Sequence, residues 1–446
     1  MRFFPPLAAL LFVCSFLQAQ PTNMTLEEAN KVALERNLSI ISADANVGAA
    51  QAGVTSAYGG YLPGVSASGS WTRSQVEQGA RITTFGGVTV PIPASNSTTN
   101  NFNAGVNARM TLFDGFNRQA QVGQAVSHSV ATEQTAVRTR QSIIFQVESS
   151  YLNVLRNEEL VKVADENLKR DNRQLEKIVE SNKVGAAALA DVYRQQSAVA
   201  ADEYALISAQ ATFDKSKADL VDLIGLDVGK EYTFNDPTIS LQLSKSELDS
   251  TASLFSSYEN LSKRSIAARP DYKSALESYN AAASGVTSAK SLYFPSLAAN
   301  AGYGLNSNEF RTLPDNRDLS WGLSLSWTIF DGFNTNAGIQ SAIATQRIAE
   351  ITLAQTERDI NAQLRKALLD FDAARKQYEV SQKGVTSATE DQRIAEEKYN
   401  LGAGTLLDLL TANANLVLAQ VNLVNSVYNY ITAKKNVDYT IGERMY

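Results

Sequence analysis

The sequence predicts a mostly α-helical chain that also carries part of a membrane β-barrel. It has four transmembrane β-strands and long coiled-coil helical hairpins, arranged as two structural repeats. Three observations carry this. LFDGFN at Leu112–Asn117 returns as IFDGFN at Ile329–Asn334, so Phe113 and Phe330 stand 217 positions apart. Four runs of about ten residues alternate apolar with small polar side chains, the pattern of strands that cross a bilayer. Elsewhere apolar residues recur every seven positions over stretches without proline, which imposes left-handed coiled-coil packing.

The 446 residues allow two or three ordinary domains, and 44 % hydrophobic content is ordinary too, so a bundle of spanning helices is not indicated. A net charge of −6 without any Lys/Arg cluster leaves no footprint for nucleic acid. Residues 1–19 read as a signal peptide: Arg2 is their only charge, Phe3–Phe16 is apolar, and Ala19 precedes the expected cut. Cys14, the only cysteine, leaves with that segment; lipidation at Cys14 is disfavoured because Phe12 and Val13 are bulky. The mature chain then has no thiol. No later run reaches the roughly 18 apolar residues of a membrane helix.

The repeat extends beyond the turn. Val184-Gly185-Ala186 matches Leu401-Gly402-Ala403, Asp191 matches Asp408, and Gly225 matches Gly442, all at the same offset. Upstream, GVTSA at Gly53–Ala57 and Gly285–Ala289, with Pro63 and Pro295, keep an offset of 232. The first half therefore holds 15 extra residues, and Gln75–Asn101, rich in Gly, Thr, Ser, Asn and Pro, reads as their host, a long exposed loop. The organisation expected is a first repeat over 20–235 and a second over 236–446.

In the first repeat the strands fall at about 64–74 and 102–113; in the second, at about 295–306 and 319–330. Trp71, Trp321 and Trp327, every tryptophan in the chain, lie on the apolar faces, and Ser, Asn and Gly fill the others. Four strands cannot close a barrel, and open edges do not survive in lipid, so the chain must oligomerise. A dimer gives eight strands, whose interior side chains fill; a trimer gives twelve and a water-filled lumen, and is preferred.

The helical hairpins are read over 117–224 and 334–440. Val147, Val154, Val161, Leu168 and Leu175 mark one heptad series; Val192, Val199, Leu206, Phe213 and Leu220 mark the next; Leu410, Val417, Val424 and Ile431 mark a third. At the strand-to-helix turns Phe113 and Phe330 end strands, Asp114 and Asp331 cap helices, Gly115 and Gly332 bend the chain, and Phe116 and Phe333 sit at the membrane–water interface. Pro63 and Pro295 mark the helix-to-strand junctions. A soluble coiled-coil structural protein would explain the heptads but not the alternating strands.

The paired LFDG/IFDG turns, the Val184-Gly185 and Leu401-Gly402 tips, and Arg269-Pro270-Asp271 opening the second half resemble the TolC-like outer-membrane efflux proteins. These are the outer membrane factors of tripartite efflux and type I secretion systems. The resemblance spans essentially the whole mature chain. It implies a homotrimer with a 12-stranded outer-membrane barrel and a periplasmic α-helical tunnel. It also implies docking on a periplasmic adaptor and an inner-membrane transporter, proton-driven or ABC. The function implied is the exit duct for small molecules such as drugs; the alternative is the exit duct of type I protein secretion.

The resemblance also assigns site residues. Tyr399 matches the position whose phenol bonds an aspartate of the neighbouring first-half hairpin, and Asp191 is the best match to that aspartate. Asp408 matches an aspartate lining the closed aperture. A second acidic ring would fall at Thr411, so only one is expected. Gly404 stands where the family archetype has Arg, and Ala190 where it has the partner Thr, which implies a looser gate with weaker cation binding. Val184, Gly185, Leu401 and Gly402 resemble the adaptor docking tips. Independently of the family, three facing carboxylates at Asp408 would repel, raising at least one pKa, and would attract cations. The structural alternatives are a solvated helix residue for Asp408, a helix-start cap for Asp191, helix packing for Tyr399 and plain backbone bends for Gly185 and Gly402. His128 is the only histidine, no phosphate loop is present and the spacing of a calcium loop is missing, so no cofactor, metal or enzymatic activity is expected.

Overall fold

The computed structural model describes residues 22–237, 239 and 242–443. The expected signal peptide and Cys14 lie outside them. In chain order the elements are β1 (Thr22–Met24), α1 (Leu26–Arg36), α2 (Leu38–Gly59), β2 (Gly64–Gln78), β3 (Arg81–Phe85), β4 (Val88–Ile92), β5 (Ser95–Phe113), α3 (Asn117–Lys183) and α4 (Leu189–Leu223). Then come β6 (Tyr232–Phe234), α5 (Lys245–Leu254), α6 (Tyr258–Ala268), α7 (Pro270–Ser291), β7 (Ser296–Ser307), a 3₁₀ turn (Phe310–Asp315), β8 (Arg317–Ser326), α8 (Asn334–Asn400) and α9 (Leu406–Ile441). Two compact units result. One gathers the described residues up to Ser42, Arg138–Arg269, and those from Ile360 onward; the other is Ala43–Val137 with Pro270–Asp359. Each unit draws on both halves of the sequence.

The second unit holds the expected four strands in one antiparallel sheet, ordered β2-β5-β7-β8. Strands of the first half thus pair directly with strands of the second. Trp71 lies opposite Phe102, their rings stacked 6.3 Å apart, on the face predicted to be apolar. β2 and β8 are the edges, and among the described residues no strand satisfies their outer backbone groups. The apolar side chains of β8 stand exposed, Trp321 at 85 %.

Three strand expectations need correction. Gln75–Asn101 is not a loop. β2 continues to Gln78 and β5 starts at Ser95, with Gln78 paired to Ser95, and β3 and β4 form a further hairpin beyond them. Thr, Ser and Asn can extend a ladder through backbone bonds alone, which a search for apolar alternation overlooks. β8 stops at Ser326, not near 330, because Ser326 pairs with Ser296, the first residue after Pro295, and the ladder has no further partner. Phe330 therefore does not end a strand, although Phe113 does.

The strand-to-helix turns recur in backbone angle: φ is 66° at Gly115 and 68° at Gly332, 71° at Phe116 and 69° at Phe333. Asp114 Oδ2 accepts from the backbone N–H of Arg118 at 3.2 Å, and Asp331 Oδ2 from that of Thr335 at 2.6 Å, so both aspartates cap their helices. A Cβ on Gly115 would lie 2.5 Å from Ser291 O, so close packing as well as dihedral angle demands glycine there. The left-handed phenylalanines carry strain of about 1–3 kcal/mol each. Edge-to-face contacts to Phe113 at 5.8 Å and Phe330 at 5.5 Å help hold them. Pro63 precedes β2 and Pro295 precedes β7, as expected of junctions.

α3 and α8 are each 67 residues long, running from the repeated Asp-Gly turns to the Gly185 and Gly402 tips. In the first unit Val147, Val154, Val192, Val199, Leu220 and Val424 of the heptad series are buried. Not anticipated are α1, α5, α6 and the parallel β1–β6 pair, whose Met24 and Phe234 join the core around Val147 and Tyr151. α9 has no unbroken apolar run, since Asp408, Asn413 and Asn415 interrupt it, but its composition is the most apolar of the described long helices. It holds an eighteen-residue window of mean hydropathy 1.3, enough by length and composition to cross a membrane. Its heptad face explains that content: Leu406, Leu409, Leu416, Val424 and Val427 are buried against neighbouring helices.

Candidate functional site

The candidate site is the pair of helical tips, both in the first unit. Each long helix ends in the same motif. Ala186 N–H bonds Ser181 O at 2.8 Å and Gly185 N–H bonds Asn182 O at 2.9 Å. Likewise Ala403 N–H bonds Lys398 O at 2.8 Å and Gly402 N–H bonds Tyr399 O at 3.0 Å. These are Schellman closures, with glycine at φ 75° and 70°. They leave Val184 80 % and Leu401 84 % exposed, a bare apolar side chain at the end of each tip.

The returning helices start differently. α4 begins behind Ala188, which makes no side-chain cap. Asp191 sits in its first turn rather than at the cap, and its carboxylate pairs with Arg194 at 2.8 Å. The cap reading of Asp191 is thereby corrected: the cap residue is Ala188. α9 begins with a full capping box. Asp408 N–H donates to Thr405 Oγ1 at 3.2 Å, and Thr405 N–H and Oγ1–H donate to Asp408 Oδ2 at 3.0 and 2.7 Å. The Thr405 hydroxyl and amide hold the Asp408 carboxyl below its usual range in the single chain. Asp408 Oδ1 makes no hydrogen bond among the described residues.

Tyr399 packs with Leu175, Ile178, Val192, Leu406 and Leu410, which brings the two tips into one apolar cluster. Burial, and then the Asp191 charge, raises its phenol above the ordinary value. No hydrogen bond joins Tyr399 to Asp191 within the chain. Thr411 donates to Leu407 O at 2.8 Å on an exposed face of α9. Gly404 N–H folds back onto Lys398 O at 3.1 Å, and a Cβ there would press on Lys398 Cβ at 3.1 Å. Ala190 is exposed. The capping box is legible in the sequence as Thr405-x-x-Asp408, whereas neither a ring residue nor a solvated helix residue, the two expectations for Asp408, describes it.

A bilayer-length sheet with two open edges and an aromatic apolar face, feeding helices of 67 residues, defines the class: an outer-membrane channel protein. The profile of the family described as "Outer membrane efflux protein" matches residues 30–226 and 261–443, and the chain belongs to that family. It is similar to the probable efflux pump outer membrane protein TtgC of Pseudomonas putida, 25 % identical over 395 residues, 86 % of this chain and 76 % of that one. It is also similar to the outer membrane protein TolC of Vibrio cholerae, 23 % identical over 434 residues, 94 % of this chain and 90 % of that one. Among solved structures, the V. cholerae outer membrane protein VceC superimposes with a TM-score of 0.78 at 20 % identity, covering 94 % of this chain and 96 % of that one. The protein is an efflux channel component of the outer membrane, as the family implies.

Proposed function

We propose that three copies of this chain assemble into a closed 12-stranded barrel continued by a periplasmic helical tunnel. The observation that carries this is the pair of unpaired edges, β2 and β8, on a four-stranded sheet that lipid would not tolerate open. Each protomer supplies one third of the wall, built from repeats spanning 20–235 and 236–446. The duct is passive and no step in it is enzymatic; an inner-membrane transporter supplies energy and selects the cargo, small molecules such as drugs.

In this reading Val184, Gly185, Leu401 and Gly402 receive a periplasmic adaptor. Their support is the bare Val184 and Leu401 side chains on tight glycine turns, an apolar knob of the kind that anchors an interface. Asp408 forms the single acidic ring of the closed aperture, with its free Oδ1 available to cations and Thr411 one turn further along α9. Tyr399 and Asp191 latch the gate across neighbouring hairpins, since within one chain Asp191 is taken by Arg194. Native mass spectrometry of the detergent-purified protein tests the assembly. Three chains per particle are expected; a stable monomer or dimer would overturn it.

A further inference from the structure

Three of the four long helices break their heptad pattern at the same place. Asp171 follows Leu168 by three and precedes Leu175 by four; Asp202 stands likewise between Val199 and Leu206, and Asn413 between Leu410 and Val417. Such positions face the core of a coiled coil and call for apolar side chains. The structure brings all three together in the first unit as one polar layer. Asp171 is only 4 % exposed and Asn413 5 %. Asn413 Nδ2 of α9 donates to Asp171 Oδ1 of α3 at 3.2 Å, and Asn167 Nδ2 of α3 donates to Asp202 Oδ1 of α4 at 2.7 Å. The Asp171 and Asp202 carboxyls lie close enough for each to shift the other's ionisation. Gln195, fully buried on α4, donates to the Asp171 backbone carbonyl at 3.1 Å.

The layer is incompletely satisfied: its unmet acceptors outnumber its unmet Arg170 Nε–H. Asp202 Oδ2, Gln195 Oε1 and Asn413 Oδ1 are buried oxygens without a partner. Its nearest cation, Arg170 on α3, does not close the deficit. Its Nε stays 3.9 Å from Asp171 Oδ1 and its Nη2 donates to Asn167 instead. α4 brings Asp202 and Gln195, α9 brings Asn413, and neither contributes a positive charge to the layer. Two touching carboxyls can share a bond only if one carries a proton.

We propose that Asp171 and Asp202 form a proton-binding site that, through Asn413, fastens the α3–α4 hairpin to α9 above the tips and makes opening of the tunnel's periplasmic end sensitive to pH. This rests on the gate reading of the tips given above. With the proton in place the layer is neutral and joined across three helices. Without it, a buried anion at Asp171 and a half-buried one at Asp202 repel and the layer splits. Burial, with the charge of Asp171 added, pushes Asp202 up to about 6, and burial raises Asp171 as well. The sign follows from these raised values. Fastening is complete below the ordinary carboxyl range and is lost as pH rises through about 6.

Two measurements separate this site from the channel reading. The first is the infrared C=O stretch of a protonated carboxylic acid, followed from pH 4.5 to 8 on the trimer in detergent. The native protein is expected to lose a band with a midpoint near that of Asp202, and the band is absent from both Asp202→Asn and Asp171→Asn. A band that titrates identically in the native protein and both variants would overturn the site. The second is the open probability of single channels in a planar bilayer. It is expected to rise about tenfold between pH 5 and 7 if opening restores an ordinary carboxyl pKa. Asp202→Asn, a mimic of the protonated state, stays at the low-pH level throughout. An equal pH response in that variant would assign the effect to Asp408 and overturn the coupling. If no protein forms channels while the infrared band titrates as expected, the channel reading fails and the proton site stands.

Discussion

At the first tip the chain leaves α3 through Gly185 and re-enters a helix behind Ala188, with no side chain to receive the first free N–H groups. At the second it leaves α8 through Gly402 by the same bonds and re-enters behind Thr405, whose hydroxyl and whose partner Asp408 close a capping box. An N-cap is worth about 1 kcal/mol. The second tip, which holds the proposed acidic ring, is thus the better fastened of two otherwise equivalent reversals. The difference teaches that one residue can serve two ends: Asp408 Oδ2 fixes the start of α9, and Oδ1, without a hydrogen bond among the described residues, is left for the proposed ring.

The largest expected effect tests what the tips share. Glutamate at either Val184 or Leu401 should weaken adaptor binding by about 2 kcal/mol, roughly thirtyfold, and sensitise cells to exported drugs. Surface plasmon resonance against the cognate adaptor checks this; an effect at one tip alone would break the equivalence. A smaller effect tests the difference. Thr405→Ala should cost about 1 kcal/mol locally and speed amide exchange in the first turn of α9, whereas Ala188→Ser should slow it in the first turn of α4 by a similar factor. Equal, negligible responses would show that tertiary packing, not capping, holds both starts. The smallest effect is in pH. A carboxyl held below its usual range stabilises the cap at pH values above the ordinary range and loses that effect as pH falls through its own lowered pKa. Exchange at the start of α9 should therefore accelerate only in acid below the ordinary aspartate range in a monomeric form. Onset at higher pH in the trimer would reveal the mutual repulsion of the ring.

Much of this was legible in the sequence. The bounds of α3 and α8 followed from the repeated Asp-Gly turns at one end and the Gly185 and Gly402 tips at the other. What escaped was of three physical kinds. Backbone ladders carried by Thr, Ser and Asn gave β2 and β5 more length than their apolar alternation. The end of β8 was set by its partner's first residue, which no reading of β8 alone contains. The left-handed Phe116 and Phe333 are held by ring contacts that form only once the turn is made. At the candidate site the glycine tips were readable, but the absent cap at Ala188 and the Arg194 pairing of Asp191 depend on where α4 starts, which the sequence leaves open within a residue or two. The polar layer at Asp171, Asp202 and Asn413 was visible as three breaks in the heptads. Which interruptions meet depends on the register between the helices, which no single heptad series contains.

The most direct test of the account is single-channel conductance of the detergent-purified protein in a planar bilayer, beside its Asp408→Ala variant. The account predicts a small, cation-preferring conductance whose preference disappears in the variant. A channel indifferent to the substitution would contradict the acidic ring. A protein that forms no channel and stays soluble without detergent would contradict the duct itself.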